Sequence, residues 1–473
     1  MKKNLIYSFG NILVNTLYPL IVFPYISRVF DVSSIGTYNY YNIVFSYISL
    51  LASFGLNLYA SREIGKAKNN KSEKNALVSQ LVVISIFNML LALFLIVMPF
   101  IYFAPKEDKF IALVFSIMII ANAISVEWYY VAVENQRYIF LRNFLFKIVS
   151  LGLIFYFIKS NNDLVLYAFI VVLGLFLNAI INFVKLLIII YKDFKIKINF
   201  SHYKGLLTIF LVEITFRYYG MGDVAIMEKL VTREELGFLT FALSIFNIVS
   251  SFLKIIATTL LPRVSFLIAS NNMKEFYQLL KKTNSLIFLL SFPAIIGLFY
   301  GSDLLVNIFG GNKFAASVNF VKAFCPLILI TAIINTIIFQ VLYPLGRSRI
   351  IIISYACSIL INIVLNLILV NVISSFSLIV SATLSNLFIL IIFFFNEKEK
   401  LNIKEIFSID ILKYSLAFLL SFIFILYTTK MKLDPFGIIS LLLGLFIYIS
   451  VLVMTKDAII YNYINTKLFK NEK

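Results

Sequence analysis

Charge is scarce in this sequence. Asp, Glu, Lys and Arg make up 14% of its 473 residues, where an ordinary soluble domain carries about 25%. Cysteine is nearly absent, at two residues, and histidine and tryptophan occur once each. Two cysteines exclude a disulfide scaffold, and without Cys/His spacing there is no metal-binding motif. So few charges exclude a disordered chain and a soluble globule. Hydrophobic residues are abundant instead, at 61%, with Phe 49 and Tyr 27. At about 20 residues per membrane span, the length accommodates roughly twelve to fourteen spans. Cys325 and Cys357 both lie inside apolar runs and read as small core residues. His202 sits in a basic loop with no evident partner.

Apolar runs fall near 5–26, 36–58, 77–102, 110–133, 138–158, 164–190, 205–227, 237–261, 283–300, 316–342, 350–372, 376–396, 411–429 and 436–454. Fourteen membrane helices are expected. The first run follows Lys2 and Lys3, lacks a small-residue cleavage site and runs into Arg28, so it reads as an uncleaved span rather than a signal peptide. The net charge of +18 would suggest nucleic acid in a soluble protein. Here it marks cytoplasmic loops, and nucleic acid is not an expected partner. With the N-terminus inside, the inside segments hold 28 of the 41 Lys and Arg residues, the outside connections 10, and three (Lys185, Arg217, Lys254) fall within spans. The positive-inside rule then places both termini in the cytoplasm.

An internal repeat emerges at an offset of 201 residues. Gly36 maps to Gly237, each opening a span. Arg62 then maps to Arg263, Arg28 to Lys229 and Lys3 to Lys204. Six spans separate the copies, an even number, so the repeats are parallel. The expected fold is an all-α integral membrane protein. Residues 1–200 form an N-lobe of six helices, 201–400 a C-lobe of six, and 401–473 two further helices and a cytoplasmic tail.

Several short motifs carry a family resemblance. They are Ser27-Arg28-Val29-Phe30 before Gly36-Thr37-Tyr38, then Glu127-Trp128-Tyr129-Tyr130, Glu134-Asn135-Gln136-Arg137 and Arg142-Asn143, and later Leu236-Gly237-Phe238, Leu261-Pro262-Arg263 and Leu345-Gly346-Arg347. With the helix plan, they resemble the multidrug/oligosaccharidyl-lipid/polysaccharide (MOP) exporter superfamily, and within it the bacterial polysaccharide repeat-unit flippases of Wzx type. The resemblance covers essentially the whole chain. It implies two lobes around a central cavity facing each side of the plasma membrane in turn. It also implies an undecaprenyl-diphosphate-linked oligosaccharide as substrate, and a polymerase and glycosyltransferases as pathway partners.

Such a substrate needs fixed positive charge inside the membrane, and the arginine fork suits phosphate. Arg217, about thirteen residues into the seventh run, is the leading candidate for substrate binding. A mid-bilayer Arg costs ~2.5–3.5 kcal/mol on insertion scales. Its structural alternative is an ion pair with Glu213, one turn back. Arg28 closes the first span; lipid II flippases carry a functional Arg in a similar motif, and snorkelling is the alternative. Lys254 reads as a substrate ligand or a snorkelling residue. Arg62 and Arg263 read as gate or headgroup anchors that could also meet substrate. Lys147 and Lys185 are placed near cytoplasmic helix ends, where they read as snorkelling residues first and substrate ligands second.

Asp223, Glu213 and Glu127 are the carboxylates that could couple transport to H⁺. With Asn362, Asn366 and Thr383, Asp223 could offer oxygens to Na⁺ instead, although helix–helix hydrogen bonds explain the Asn and Thr residues more simply. No cofactor is expected. Trp128, Tyr129 and Tyr130 read as an interfacial aromatic belt, or as a sugar-stacking platform. Pro19, Pro24 and Pro293 can kink their helices.

Two other functions compete with a flippase. A drug or cation antiporter of the same superfamily would favour an acidic, aromatic site, whereas this chain is basic. A membrane polymerase or transferase would need a large outer loop or catalytic motif. The outer loops are short, with no DxD, no nucleotide loop and no usable histidine, so the chain reads as a transporter rather than an enzyme.

Overall fold

A backbone inside lipid must satisfy its own hydrogen bonds, so apolar runs of this length fold as helices. The computed structural model describes residues 2–66, 71–191, 199–227, 230–397, 410–430 and 438–457, and for Arg217 and Asp223 the backbone only. Eleven helices among them are long and apolar enough to span a membrane. Two shorter apolar helices (Leu13–Val29 and Ile439–Met454) and the 26-residue helix His202–Met227 complete a set of fourteen. The chain is thus a multi-pass, all-helical membrane protein.

The described residues form two compact units, 1–237 and 238–473. The first contains α1 (Lys2–Val29), α2 (Val32–Ser53), α3 (Leu56–Lys66), α4 (Lys71–Ala92), α5 (Met98–Phe103), α6 (Lys109–Ile124), α7 (Glu127–Ala132), α8 (Gln136–Phe157), α9 (Leu164–Ile190) and α10 (His202–Met227). It ends inside α11 (Arg233–Thr259). The second continues with α12 (Leu261–Ala269), α13 (Met273–Tyr300), α14 (Ser302–Gly310), α15 (Ser317–Ile337), α16 (Ser348–Ile373), α17 (Phe376–Glu397), α18 (Asp410–Lys430) and α19 (Ile438–Met454).

In the first unit, α6 and α8 both pack on α9, so the fourth and fifth spans meet the sixth. In the second, α15 and α16 both pack on α17, so the tenth and eleventh meet the twelfth. The same pairs recur six spans on, as parallel repeats require. The α16–α17 seam is closed by polar contacts: Ser377 Oγ donates to Asn366 Oδ1 at 2.6 Å, and Ser358 Oγ to the Ser385 carbonyl at 2.9 Å. Asn366 thus takes part in a helix–helix bond, while Thr383 bonds the Ile379 carbonyl of its own helix.

Three glycines fix two close approaches in the first unit. Phe54 (φ 45°) and Gly55 (φ 76°) turn the chain between α2 and α3. A Cβ on Gly55 would lie 2.7 Å from both the Leu206 carbonyl and the Phe210 amide, so α10 rests its backbone on this corner. Gly36 and Gly237 lie against each other. A Cβ on Gly36 would collide with the Arg233 carbonyl, and one on Gly237 with the Val32 carbonyl. Both contacts obey the 201-residue offset, so the first turns of α2 and α11 meet about a local two-fold axis.

Trp128, Tyr129 and Tyr130 are 3%, 4% and 1% exposed. They pack with Leu56, Tyr59, Ile64 and Leu186. The expected interfacial belt is therefore a buried core: α7 is a short helix that lies on α3, and its aromatic side chains face inward. His202, expected to lack a partner, has two. Its Nδ1 lies 2.8 Å from the Tyr59 hydroxyl and its Nε2 2.9 Å from Gln80 Oε1. Cys325 is buried, Cys357 half-buried, and neither is bridged.

Candidate functional site

Polar residues recur at helical spacing along three membrane helices of the first unit. Asn11, Asn15 and Tyr18 follow i, i+4, i+7 on α1; Asn143, Lys147 and Ser150 do the same on α8; Asn178 and Asn182 stand four apart on α9. Such spacing gathers each set on one helix face. Because α8 packs on both α1 and α9, the three faces converge.

They enclose a cavity of about 450 Å³. Its polar lining includes Asn15, Tyr18, Asn122, Asn143, Lys147 and Asn178, with Phe146 adding a ring. The amides form a chain. Asn178 Nδ2 donates to Asn143 Oδ1 at 2.7 Å, and Asn143 Nδ2 donates to Asn11 Oδ1 at 3.0 Å. The Tyr18 and Ser150 hydroxyls are 2.9 Å apart.

Behind one wall lies a buried cation. Arg142 Nη2 lies 2.8 Å from Glu127 Oε2 and 3.0 Å from Asn143 Oδ1, and Nη1 donates to Asn182 Oδ1. Asn182 is held in turn: its Nδ2 donates to the Ser125 carbonyl at 2.7 Å, and its own carbonyl accepts from the Tyr130 hydroxyl at 2.9 Å. The Arg142 side chain is 4% exposed and that of Glu127 41%. Burying a cation is tolerable when it is paired and hydrogen-bonded, and this network meets both conditions.

Lys147 is different. It is the twelfth of the 22 residues of α8, so it stands mid-helix, and the expectation that it lies near a helix end is corrected. The helix begins at Gln136, which moves the basic residues after Arg137 into the span. Its ammonium sits 4.6 Å from the centre of the Tyr18 ring, a cation–π contact. Among the described residues no carboxylate pairs with it. Lys185, near the end of α9, stacks on Tyr138 at 3.6 Å.

Of the residues weighed from sequence as able to act, Glu127 and Lys147 line this cavity. Arg62 is exposed and pairs with its neighbour Glu63 at 2.8 Å. Arg263 pairs with Glu275 where α12 gives way to α13. Lys254 is exposed on α11 and lies 5.8 Å from the Phe339 ring. Arg28 is exposed at the end of α1, and Glu213 is half-buried on α10. Arg217 and Asp223 also ride on α10, and their side chains lie outside the described residues. No cluster of three or more His, Cys, Asp or Glu that could hold a metal occurs among the described residues. Sequence reasoning missed Asn15, Tyr18, Asn143, Asn178 and Asn182; the signal was the i, i+4, i+7 polar stripe in helices otherwise made for lipid.

A bundle of about fourteen membrane helices with an amide-lined cavity inside one unit is the build of a multi-pass transporter. Residues 1–268 match the family described as "Polysaccharide biosynthesis protein", and residues 208–368 match "MatE". The chain belongs to the polysaccharide biosynthesis protein family, within the MOP superfamily. It is 22% identical to a protein named as an O-antigen transporter in Escherichia coli (strain K12), over 72% of this chain and 83% of that one. It is 25% identical to one of the same name in Shigella dysenteriae, over 38% and 46%. Both are named as transporters, not enzymes. Among solved structures, "Lipid II flippase MurJ, inward closed conformation" superposes with a TM-score of 0.71 at 16% identity, over 97% of this chain and 100% of that one. An inward-facing multidrug resistance MATE family transporter gives 0.58 at 13% identity, over 81% and 94%.

Proposed function

We propose that the protein moves an undecaprenyl-diphosphate-linked oligosaccharide repeat unit from the inner to the outer leaflet of a bacterial plasma membrane. The observation that carries this reading is the cavity of about 450 Å³ among membrane-spanning helices, where amides, hydroxyls, an ammonium and the Glu127 carboxylate stand among apolar side chains. Those groups suit the hydroxyls of a sugar, and the volume falls in the ~300–1,000 Å³ range of small-ligand sites. Family membership and the names of the relatives support the same conclusion. The polyprenyl tail would remain in lipid while the units rock between inward- and outward-open states, with both termini cytoplasmic. Arg217, Arg28, Lys254, Arg62 and Arg263 are the cations proposed to meet the diphosphate or lipid headgroups. Asp223, Glu213 and Glu127 are the carboxylates through which H⁺ or Na⁺ would drive the cycle. A ligand moves such an equilibrium only through different affinities for the two states. A polymerase and glycosyltransferases would act on the same substrate after and before this step.

The test is complementation. In bacteria lacking their own repeat-unit flippase, the wild-type chain is expected to restore surface polymer in at least one host. Arg217→Ala is expected to abolish that restoration at matched membrane levels. Failure of the wild type across hosts with varied repeat units, together with efflux of cationic dyes, would replace this reading by a drug antiporter, for which the match to the MatE family over 208–368 speaks.

A further inference from the structure

The cavity in the first unit carries a charge that nothing described there cancels. Arg142 and Glu127 neutralise each other at 2.8 Å. Lys147, mid-helix on α8, adds one positive charge held only against the Tyr18 ring. The other titratable side chains on the wall are Tyr18 from α1 and Glu127 from α7, whose charge Arg142 offsets; α2, α6 and α9 contribute Ser49, Asn122 and Asn178, all uncharged. A lysine in this position is costly to insert, and a tyrosine face returns only part of that cost. Around the ammonium stand groups that bind hydroxyls rather than charge: Asn15, Asn143, Ser150 and Asn178, with Phe146 beside them. One cation, a ring of amides and hydroxyls, and room for a single sugar describe a complementary guest.

We infer that the cavity takes an anionic sugar unit, a pyranose bearing a carboxylate or a phosphate, with Lys147 binding the anionic group. This inference rests on the flippase reading and narrows its substrate to repeat units that contain an acidic sugar. The tail-linked diphosphate is a less fitting guest, because the amides would go unused and a single lysine meets its charge poorly. Lys147 is a specificity residue here: it distinguishes acidic from neutral units.

The experiment uses the full chain in three hosts that lack their own flippase. One makes a neutral repeat unit, one a unit with a uronic acid, and one a unit with a sugar phosphate. Surface polymer is measured for wild type, Lys147→Met and Lys147→Arg at matched membrane levels. Loss of a charge-assisted hydrogen bond corresponds to about ten- to a hundredfold. Lys147→Met should therefore lower polymer from the acidic units by at least about tenfold, while Lys147→Arg largely preserves it. Any neutral unit that the wild type moves should fall far less with Lys147→Met than the acidic units do, and recovery of the acidic units by Lys147→Arg shows that the site still folds. Response of the uronate host alone, or of the phosphate host alone, identifies which anion is read. Equal loss on neutral and acidic units, no loss on either, or a wild type that moves neutral units only would overturn the inference. A wild type that restores no host defeats the flippase reading itself, and this inference with it.

Discussion

Replacing Glu127 tests whether the carboxylate is a fixed counter-ion. Its partner Arg142 is buried, with 4% of the side chain exposed. Breaking a fully buried ion pair from one side costs about 3–5 kcal/mol, because a charge is left unpaired. Here Glu127 is 41% exposed, so water can follow it into the gap. Asn182 and Asn143 also remain as acceptors for Arg142. The expected cost of Glu127→Ala is then about 2–3 kcal/mol, with Glu127→Gln near half of that because it keeps an acceptor. For a unit of 237 residues, each kcal/mol moves the melting temperature by about 2–4 °C, so Glu127→Ala should melt roughly 4–12 °C lower. The assay is thermal unfolding of the purified protein in detergent, followed by tryptophan fluorescence; Trp128, the single tryptophan, adjoins the pair. Combining Glu127→Ala with Arg142→Met should cost about 1–2 kcal/mol less than the two single changes added together, since no lone charge remains. A shift below about 2 °C for Glu127→Ala, or strict additivity of the two changes, would refute the ion-pair account.

Three further outcomes are expected. Arg233 reaches the buried Asp108, which Tyr41 also engages; Arg233→Ala should strand that carboxylate and cost about 2–4 kcal/mol in the same assay, whereas Arg233→Lys should recover part of it. Gly36→Val places two methyl groups against the Arg233 carbonyl, and should cost at least about 1–3 kcal/mol, with no comparable loss for Gly152→Val, where a Cβ meets open space. Burial pushes the His202 imidazole below its ordinary pKa, with Glu63 opposing. The folded state therefore favours neutral His202, and its contribution, full above the unfolded value of about 6.5, is lost as pH falls through the lower folded value. Melting temperature should drop on acidification from pH 7 to 5, and His202→Gln should flatten that slope; an unchanged slope would remove His202 from the account.

The helices were legible because lipid leaves the backbone few choices. Fourteen apolar runs gave fourteen helices, and the glycines at 36 and 237 opened spans as expected. The site was less legible. Glu127, Arg142 and Asn182 come together from α7, α8 and α9, and no local spacing announces a bond across 40 residues of chain. Lys147 was misplaced for a definite reason: basic residues were assigned to loops by charge, and α8 draws them into the span. Trp128 to Tyr130 were misread because an aromatic cluster at a helix end looks the same whether it faces headgroups or a core. Tyr18, Ser150 and the asparagines were open to periodicity alone, had polar positions been followed as closely as apolar ones.

The glycine crossing also bears on the history of the chain. A contact that obeys the repeat offset in both directions is what two copies of one ancestral half would make on pairing as a dimer. In such a dimer every substitution is read twice, so the contact can change only symmetrically. In one chain that constraint is absent. Both glycines are present, and bulk on either side would meet backbone. The residue four places earlier differs: it is Val32 in one copy and Arg233 in the other. The partner of Arg233 diverged as well, since Asp108 has Phe309 as its counterpart at the same offset. The junction therefore carries a charge clasp, Arg233 to Asp108, that the offset does not repeat, and its two sides are not equivalent.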